Sequence, residues 1–102
     1  MGFDMSAGER EESIRHGEEY ILQMVAEDAK CYPQLYALWR AFFDDPRFSP
    51  QQAEAMVHEL IELLDRHGNG GRERNLTHSV LRWLAFFSYA ARGGHEIETY
   101  SD

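Results

Sequence analysis

The clearest structural signal in the chain is the segment SPQQAEAMVHELIELLDRH, residues 49–67. Ser49 is a preferred N-cap residue, Pro50 suits the first helical position, and Gln52 can complete a capping box with Ser49. Apolar residues recur at helical spacing along one arc, at Ala53, Met56, Val57, Leu60, Ile61 and Leu64. The segment therefore predicts an amphipathic helix, which ends at the glycine loop of residues 68–71.

Three further helices are predicted on either side of this segment. The first is expected from about Ala7 to Lys30, the second from Pro33 to about Asp44, and the last from about Leu76 to Arg92. Apolar residues nearly surround the last of these helices, which predicts a central position for it.

The residues after the last predicted helix predict its end and a short extended tail. Gly93 and Gly94 end the last helix, and residues 95–100 alternate enough to predict an extended segment with Ile97 packed back. The sequence therefore predicts an all-α fold. It consists of one domain over residues 1–102, a compact bundle of about four helices with a short extended C-terminal tail.

The chain is strongly acidic. It carries 10 lysine and arginine residues against 18 aspartate and glutamate residues, for a net charge of −8. Residues 1–32 hold eight acids and three bases, residues 33–68 six and three, and residues 69–102 four and four. Charge of this sign repels nucleic-acid phosphates and attracts basic surfaces. We therefore expect a basic protein partner and no nucleic acid.

The composition also indicates where the protein resides. No stretch approaches the roughly 18 apolar residues of a membrane span, and residues 1–10 lack the basic and apolar pattern of a secretion signal. Cys31 is the single cysteine, which excludes an internal disulfide and multi-cysteine zinc patterns. We therefore expect no membrane partner and a cytoplasmic location.

Two groups of side chains are candidate partner-binding residues. The first is the acidic arc of the helix at residues 50–67, which lies opposite its apolar arc and consists of Glu54, His58, Glu62 and Asp65. The second group is Arg82, Phe86 and Tyr89, which share the least apolar arc of the last helix. Their residue types dominate interface hot spots, but in a central helix they would belong to the core with a snorkelling arginine.

A helical homodimer is the first alternative to a partner-binding protein. It would use the aromatic surplus of the chain at Trp39, Phe42, Phe43, Trp83, Phe86 and Phe87. A homodimer of this kind would be a structural or regulatory protein.

A metal-dependent or hydrolytic enzyme is the second alternative. Glu54, His58 and Glu62, and likewise Glu12, His16 and Glu19, have spacings that could hold an ion on a helix surface. Both sets lie opposite apolar stripes, so a solvated face explains them more simply. Ser79, Ser88 and Cys31 are candidate nucleophiles, but the chain has no nucleophile elbow and no phosphate-binding loop. The sequence therefore predicts no catalytic residue, no metal ligand and no cofactor.

Three short segments resemble small bacterial proteins of no assigned activity. They are GFDMS at residues 2–6, FSPQQA at residues 48–53 and ARGGHEI at residues 91–97. The resemblance implies no activity and no site residue, and His95 stands where an aromatic residue such as phenylalanine is expected. In size, acidity and predicted helical content the chain is also similar to bacterial immunity proteins that mask nuclease toxins. That similarity implies an immunity, antitoxin or inhibitor protein.

Overall fold

The computed structural model describes residues 2–68 and 74–101, without the side chain of Arg74. Its elements, in chain order, are β1 (Phe3–Ala7), β2 (Arg10–Ile14), α1 (Glu19–Glu27), α2 (Pro33–Arg40), α3 (Pro50–His67), α4 (Arg74–Gly93) and β3 (Glu98–Ser101). A single 3-10 turn, His16–Glu18, joins β2 to α1. The loop expected at residues 68–71 lies, apart from Gly68, outside the described residues.

The all-α prediction is wrong, because the chain forms a three-stranded antiparallel sheet beside its four helices. The sheet order is β2-β1-β3, so the two ends of the described chain pair with each other. The fold is therefore a mixed α and β structure rather than a helical bundle.

The error lies in the helix predicted from Ala7 to Lys30. Residues 3–7 alternate between buried and exposed, as a half-buried strand does, and a two-residue loop at Gly8 and Glu9 returns the chain into β2. Gly8 has a φ of +57°, a backbone conformation that glycine adopts without steric cost. Helix begins only at α1, where Ile21 and Val25 join the core.

The third and fourth helices follow their local signals closely. The capping box of Ser49 and Gln52 is present with Pro50 in the first turn, which confirms the predicted start of α3. α4 ends in a Schellman motif, in which the His95 N–H donates to Ala90 O at 2.9 Å and Gly94 has a φ of +68°. The predicted extended tail is confirmed as β3 and Ile97, which is fully buried.

The second helix is shorter than predicted, and its end shows how helices and sheet pack together. α2 stops at Arg40, and the chain then turns so that the Phe42 ring stacks on Phe3 of β1 at 4.5 Å. Phe3, Met5 and Ala7 all face the helices and are buried. The core therefore lies between one face of the sheet and the helices, and the other face of the sheet has no cover in the described chain.

Candidate functional site

The outward side of the α3–α4 pair carries most of the acidic arc predicted for α3. The two helices pack against each other, and Thr77 Oγ1 donates to Gly68 O at 3.3 Å where they meet. We define the helix-pair face by the residues that line this side of the pair. A groove on this side is lined by Glu54, Val57 and His58 of α3 and by Ser88 and Arg92 of α4. Helical spacing places four more residues on the same side, namely Ile61 and Asp65 of α3 and Leu81 and Leu84 of α4.

The centre of the helix-pair face is apolar and exposed. Ile61 is 50% exposed and Leu81 51%, while Val57 and Leu84 are half-buried against the core. Ile61 lies seven residues before Gly68 and Leu81 four residues after Thr77, the two residues that meet where the helices join. Their positions along the helix axes therefore differ by less than about one helical turn. Single exposed apolar side chains are ordinary surface, but a contiguous apolar patch with a polar rim marks an interaction site.

Charged residues surround this apolar centre. Glu54, His58, Asp65 and Arg92 are all exposed, and the first two face Arg92 and Ser88 across a shallow groove of about 330 Å³. Arg92 is the one basic residue among the nine that define the face, if histidine is counted as neutral. Glu54 and His58 thus line one groove, and helical spacing places Asp65 and Ile61 on the same side of α3.

Glu62 lies at the edge of this arrangement. Its carboxylate accepts a hydrogen bond from Arg66 Nε at 2.8 Å, and Arg66 Nη1 contacts Asp28 at 2.7 Å. The hydrogen bond to Glu62 is the main cause that holds the pKa of Arg66 above its usual value. Glu62 is thus linked through Arg66 to Asp28 at the end of α1. It is therefore less available to a partner than Glu54 or Asp65.

The structure assembles no metal-binding set from the residues it describes. Within residues 2–68 and 74–101, no three histidine, cysteine, aspartate or glutamate side chains come together in a way that could hold one ion. In the second set considered from sequence, Glu12 bonds to Arg82 and Glu19 pairs with His16 at 3.3 Å.

Arg82 lies away from the helix-pair face, in a half-buried ionic cluster beside the sheet. Its Nη1 donates to Glu18 Oε2 at 2.6 Å, and its Nη2 donates to Glu12 Oε2 at 2.8 Å and to Ser13 O at 3.0 Å. Ser79 Oγ donates to the same Glu18 oxygen at 2.5 Å. This ionic cluster joins β2, the 3-10 turn and α4.

The pKa shifts in the ionic cluster have identifiable causes. Burial raises the pKa of Glu18, but hydrogen bonds from Arg82, Ser79 and the Arg15 backbone, with the charge of Arg82, outweigh it and lower the pKa overall. The hydrogen bond to Glu12 is the largest cause that raises the pKa of Arg82, against the opposing effect of burial. Both groups therefore remain charged at neutral pH.

Ser79, a candidate nucleophile from the sequence, lies in the ionic cluster. A pocket of about 370 Å³ beside it is lined partly by Arg15, Glu18, His78, Ser79 and Arg82. The Glu18 carboxylate, which accepts the hydrogen bond from Ser79, has a lowered pKa and is therefore a weak base. The contacts of Ser79 therefore support a structural role for it. Spacing alone does not reveal this cluster, because Glu12 and Arg82 lie far apart in sequence.

Phe86 and Tyr89 are also separate from the helix-pair face. Phe86 is 2% exposed and belongs to the core. Tyr89 stacks on His95 at 5.1 Å between ring centroids, and the guanidinium of Arg10 lies 5.1 Å from the Tyr89 ring. The Tyr89 hydroxyl accepts a bond from the Glu9 N–H at 3.4 Å. Tyr89 thus packs the β1–β2 loop against the end of α4.

One buried carboxylate that the sequence did not single out supports α2. Glu59 of α3 is 8% exposed and accepts the N–H groups of Gln34 and Leu35 at 3.0 and 2.9 Å. Burial raises the pKa of Glu59, and these two hydrogen bonds offset it in part. Glu59 satisfies orphan donors at the first turn of a neighbouring helix, which is a structural role.

Comparison with known proteins does not assign this chain to a family. No protein-family model, no curated protein and no solved structure matches it. Among the described residues, no helix has both the length and the apolar character that crossing a bilayer requires.

Proposed function

We propose that this chain is a binding protein that uses the helix-pair face to cover a basic surface of a protein partner. The proposal rests most on the exposure of Ile61 and Leu81, at 50% and 51%, inside a rim that contains Glu54 and Asp65. Apolar centres of this kind provide most of the affinity in protein complexes, because they are fully desolvated on binding.

The charge of the chain supports a basic partner. A net charge of −8 attracts a basic protein from a distance and speeds association at low salt. An immunity or antitoxin protein that masks a basic enzyme would use both features, with charge setting the rate of encounter and apolar contact slowing dissociation. We propose this inhibitor role as the concrete form of the function.

The aromatic residues behind the homodimer alternative are mostly used inside the molecule. Four of the six are at most 2% exposed, namely Phe42, Trp83, Phe86 and Phe87. Phe43 remains 64% exposed, and Trp39 is half-buried against the core. We therefore expect a monomer by light scattering at high micromolar concentration. A stable dimer would favour self-association over the proposed function.

The decisive test compares capture by two variants with matched chemistry. Ile61→Asp with Leu81→Asp places carboxylates in the apolar centre, whereas Phe43→Asp does the same to an exposed side chain elsewhere. Wild-type protein and the Phe43→Asp control should retain the same basic protein from native lysate, and the double variant should lose it. Retention of that protein by all three would contradict the assignment of this face.

A second measurement separates local charge from net charge. Glu54→Lys with Asp65→Lys and the control Glu27→Lys with Asp44→Lys change the net charge equally, and all four positions are exposed. With the captured partner purified, we expect the first pair to slow association at low salt by about tenfold or more relative to the control pair. Equal rates for both pairs would show that only the net charge matters.

A further inference from the structure

None of the described residues covers the outward face of the sheet, which lies on the opposite side of the sheet from the helices. Its six outward positions are Asp4, Ser6, Glu11, Ser13, Glu98 and Tyr100. We call these six residues the outer sheet face. It holds three carboxylates and no lysine or arginine.

The register of the strands concentrates these carboxylates around two serines. Asp4 lies between Ser13 and Tyr100, and Ser6 lies between Glu11 and Glu98 on the neighbouring strands. Side chains on neighbouring strands are close enough to interact, so the negative electrostatic potentials of the three carboxylates add. Arg47 approaches Glu98 at 3.6 Å from a loop, which offsets negative charge at the β3 edge. The Asp4 carboxylate accepts a hydrogen bond from Ser13 Oγ at 2.9 Å.

The outer sheet face is concave and has an aromatic wall. A depression of about 430 Å³ is lined in part by Asp4, Ser6, Glu11, Ser13 and Tyr100. Tyr100 is 56% exposed, with its hydroxyl 3.4 Å from Glu98 Oε2. The volume lies in the range of roughly 300–1,000 Å³ that ligand sites occupy.

This combination fits a guanidinium group better than other side chains. An arginine presents a planar fork to carboxylates and can also stack on an aromatic ring, and both partners are available here in Tyr100 and the flanking acids. We propose that the outer sheet face binds an arginine side chain carried by a basic segment of a partner protein. The binding site is independent of the helix-pair face.

The proposal is tested with a ten-residue peptide of alternating arginine and serine, and with its citrulline analogue, which keeps the shape and loses the charge. Titration of isotope-labelled protein at low salt should shift the backbone amide signals of β1, β2 and β3, and the citrulline peptide should not. Shifts confined to α3 and α4, or equal binding of the citrulline peptide, would overturn the proposal.

Variants give the residue-level test. Asp4→Asn with Glu11→Gln should weaken arginine-peptide binding by about two- to fivefold for each carboxylate removed, the range of exposed ion pairs. The control Glu27→Gln with Asp44→Asn removes the same charge from exposed positions off the sheet. If the two double variants lowered the affinity for the arginine peptide equally, the effect would come from net charge alone. That result would overturn the proposed site.

Tyr100→Leu tests the aromatic contribution separately. It keeps an apolar side chain at the edge strand and removes the ring, so binding should weaken by about two- to fivefold, as expected for an exposed cation–π contact. An unchanged affinity would remove the ring from the site. Loss of peptide binding in the Ile61→Asp and Leu81→Asp variant instead would assign it to the helix-pair face.

Discussion

Arg82→Leu is a substitution for which the structure predicts a large loss of stability. Leucine keeps an apolar side chain on α4 and removes five hydrogen bonds. Two go to Glu18 at 2.6 and 3.5 Å, two to Glu12 at 2.8 and 3.3 Å, and one to Ser13 O at 3.0 Å. It also leaves two carboxylates without their counter-ion, and Glu18 is only 9% exposed.

The size of the loss follows from the burial of the ionic cluster. Removing one partner of a buried ion pair costs roughly 3–5 kcal/mol. Side-chain exposure of 20% at Arg82 and 12% at Glu18 allows water to compensate in part, so we expect the free energy of unfolding to fall by about 2–4 kcal/mol. For a domain of this length, that corresponds to a decrease in Tm of about 10–25 °C.

The loss should also depend on pH. In the wild type the pKa of Glu18 lies below its ordinary value of 4.5, so its stabilisation is complete above that pH and is lost as pH falls through the folded-state pKa. Without Arg82, two of the causes that lower this pKa are lost while burial, the largest single cause, still raises it. The pKa of Glu18 should therefore be higher in the variant, and protonation in acid should relieve its uncompensated charge. The difference between the two proteins should therefore be largest at neutral pH and narrow in acid.

Chemical denaturation of both proteins at pH 7 and pH 4 measures this difference. Arg92→Leu, at an exposed position of the same helix, is the matched control and should change stability by less than about 0.5 kcal/mol. Adding Glu18→Gln to Arg82→Leu should recover part of the loss, because it removes a buried uncompensated charge. A loss below about 1 kcal/mol at pH 7, or the same loss at both pH values, would refute the reasoning.

Three further substitutions test other parts of the structure. Ser49→Ala removes half of the capping box of α3 and should cost about 1 kcal/mol by thermal unfolding, whereas no change would mean that α3 does not depend on its cap. Gly8→Ala should cost about 1–3 kcal/mol, because φ is +57° and the new Cβ would lie 2.8 Å from the Tyr89 hydroxyl; a neutral result would contradict the loop geometry. Glu59→Gln should gain stability relative to the wild type as pH rises from about 4.5 to 7, because burial raises the pKa of Glu59. The same difference in free energy of unfolding between the two proteins at both pH values would contradict this.

The local sequence at the start of the chain favours helix over the sheet that forms there. Residues 10–14, REESI, contain good helix formers, and helical spacing also fits the apolar residues that follow. The alternation of residues 3–7 is a strand signal, but it spans only five residues. A two-stranded hairpin alone is marginally stable, so β1 and β2 depend on β3 from the other end of the chain. No local pattern contains that pairing.

The candidate site was predicted in part. Helical periodicity placed Glu54, His58 and Asp65 on the outward arc of α3, where they lie. It placed Ile61 in the apolar arc, yet Ile61 is 50% exposed, because it lies at the edge of that arc. Its exposure, combined with its hydrophobicity, makes it a candidate binding residue. Exposure depends on where neighbouring helices end and pack.

The sequence by itself determined the features that arise within a few residues of each other. These are the capping box at Ser49, the glycine stop after α4, the amphipathic arcs and the net charge of −8. The tertiary structure alone decided that the two ends of the described chain form one sheet, that Arg82 pairs with Glu12 and Glu18, and that Ile61 and Leu81 remain exposed. The physical reason is that these contacts join segments far apart in the chain, so they form only when burial of the common core brings those segments together.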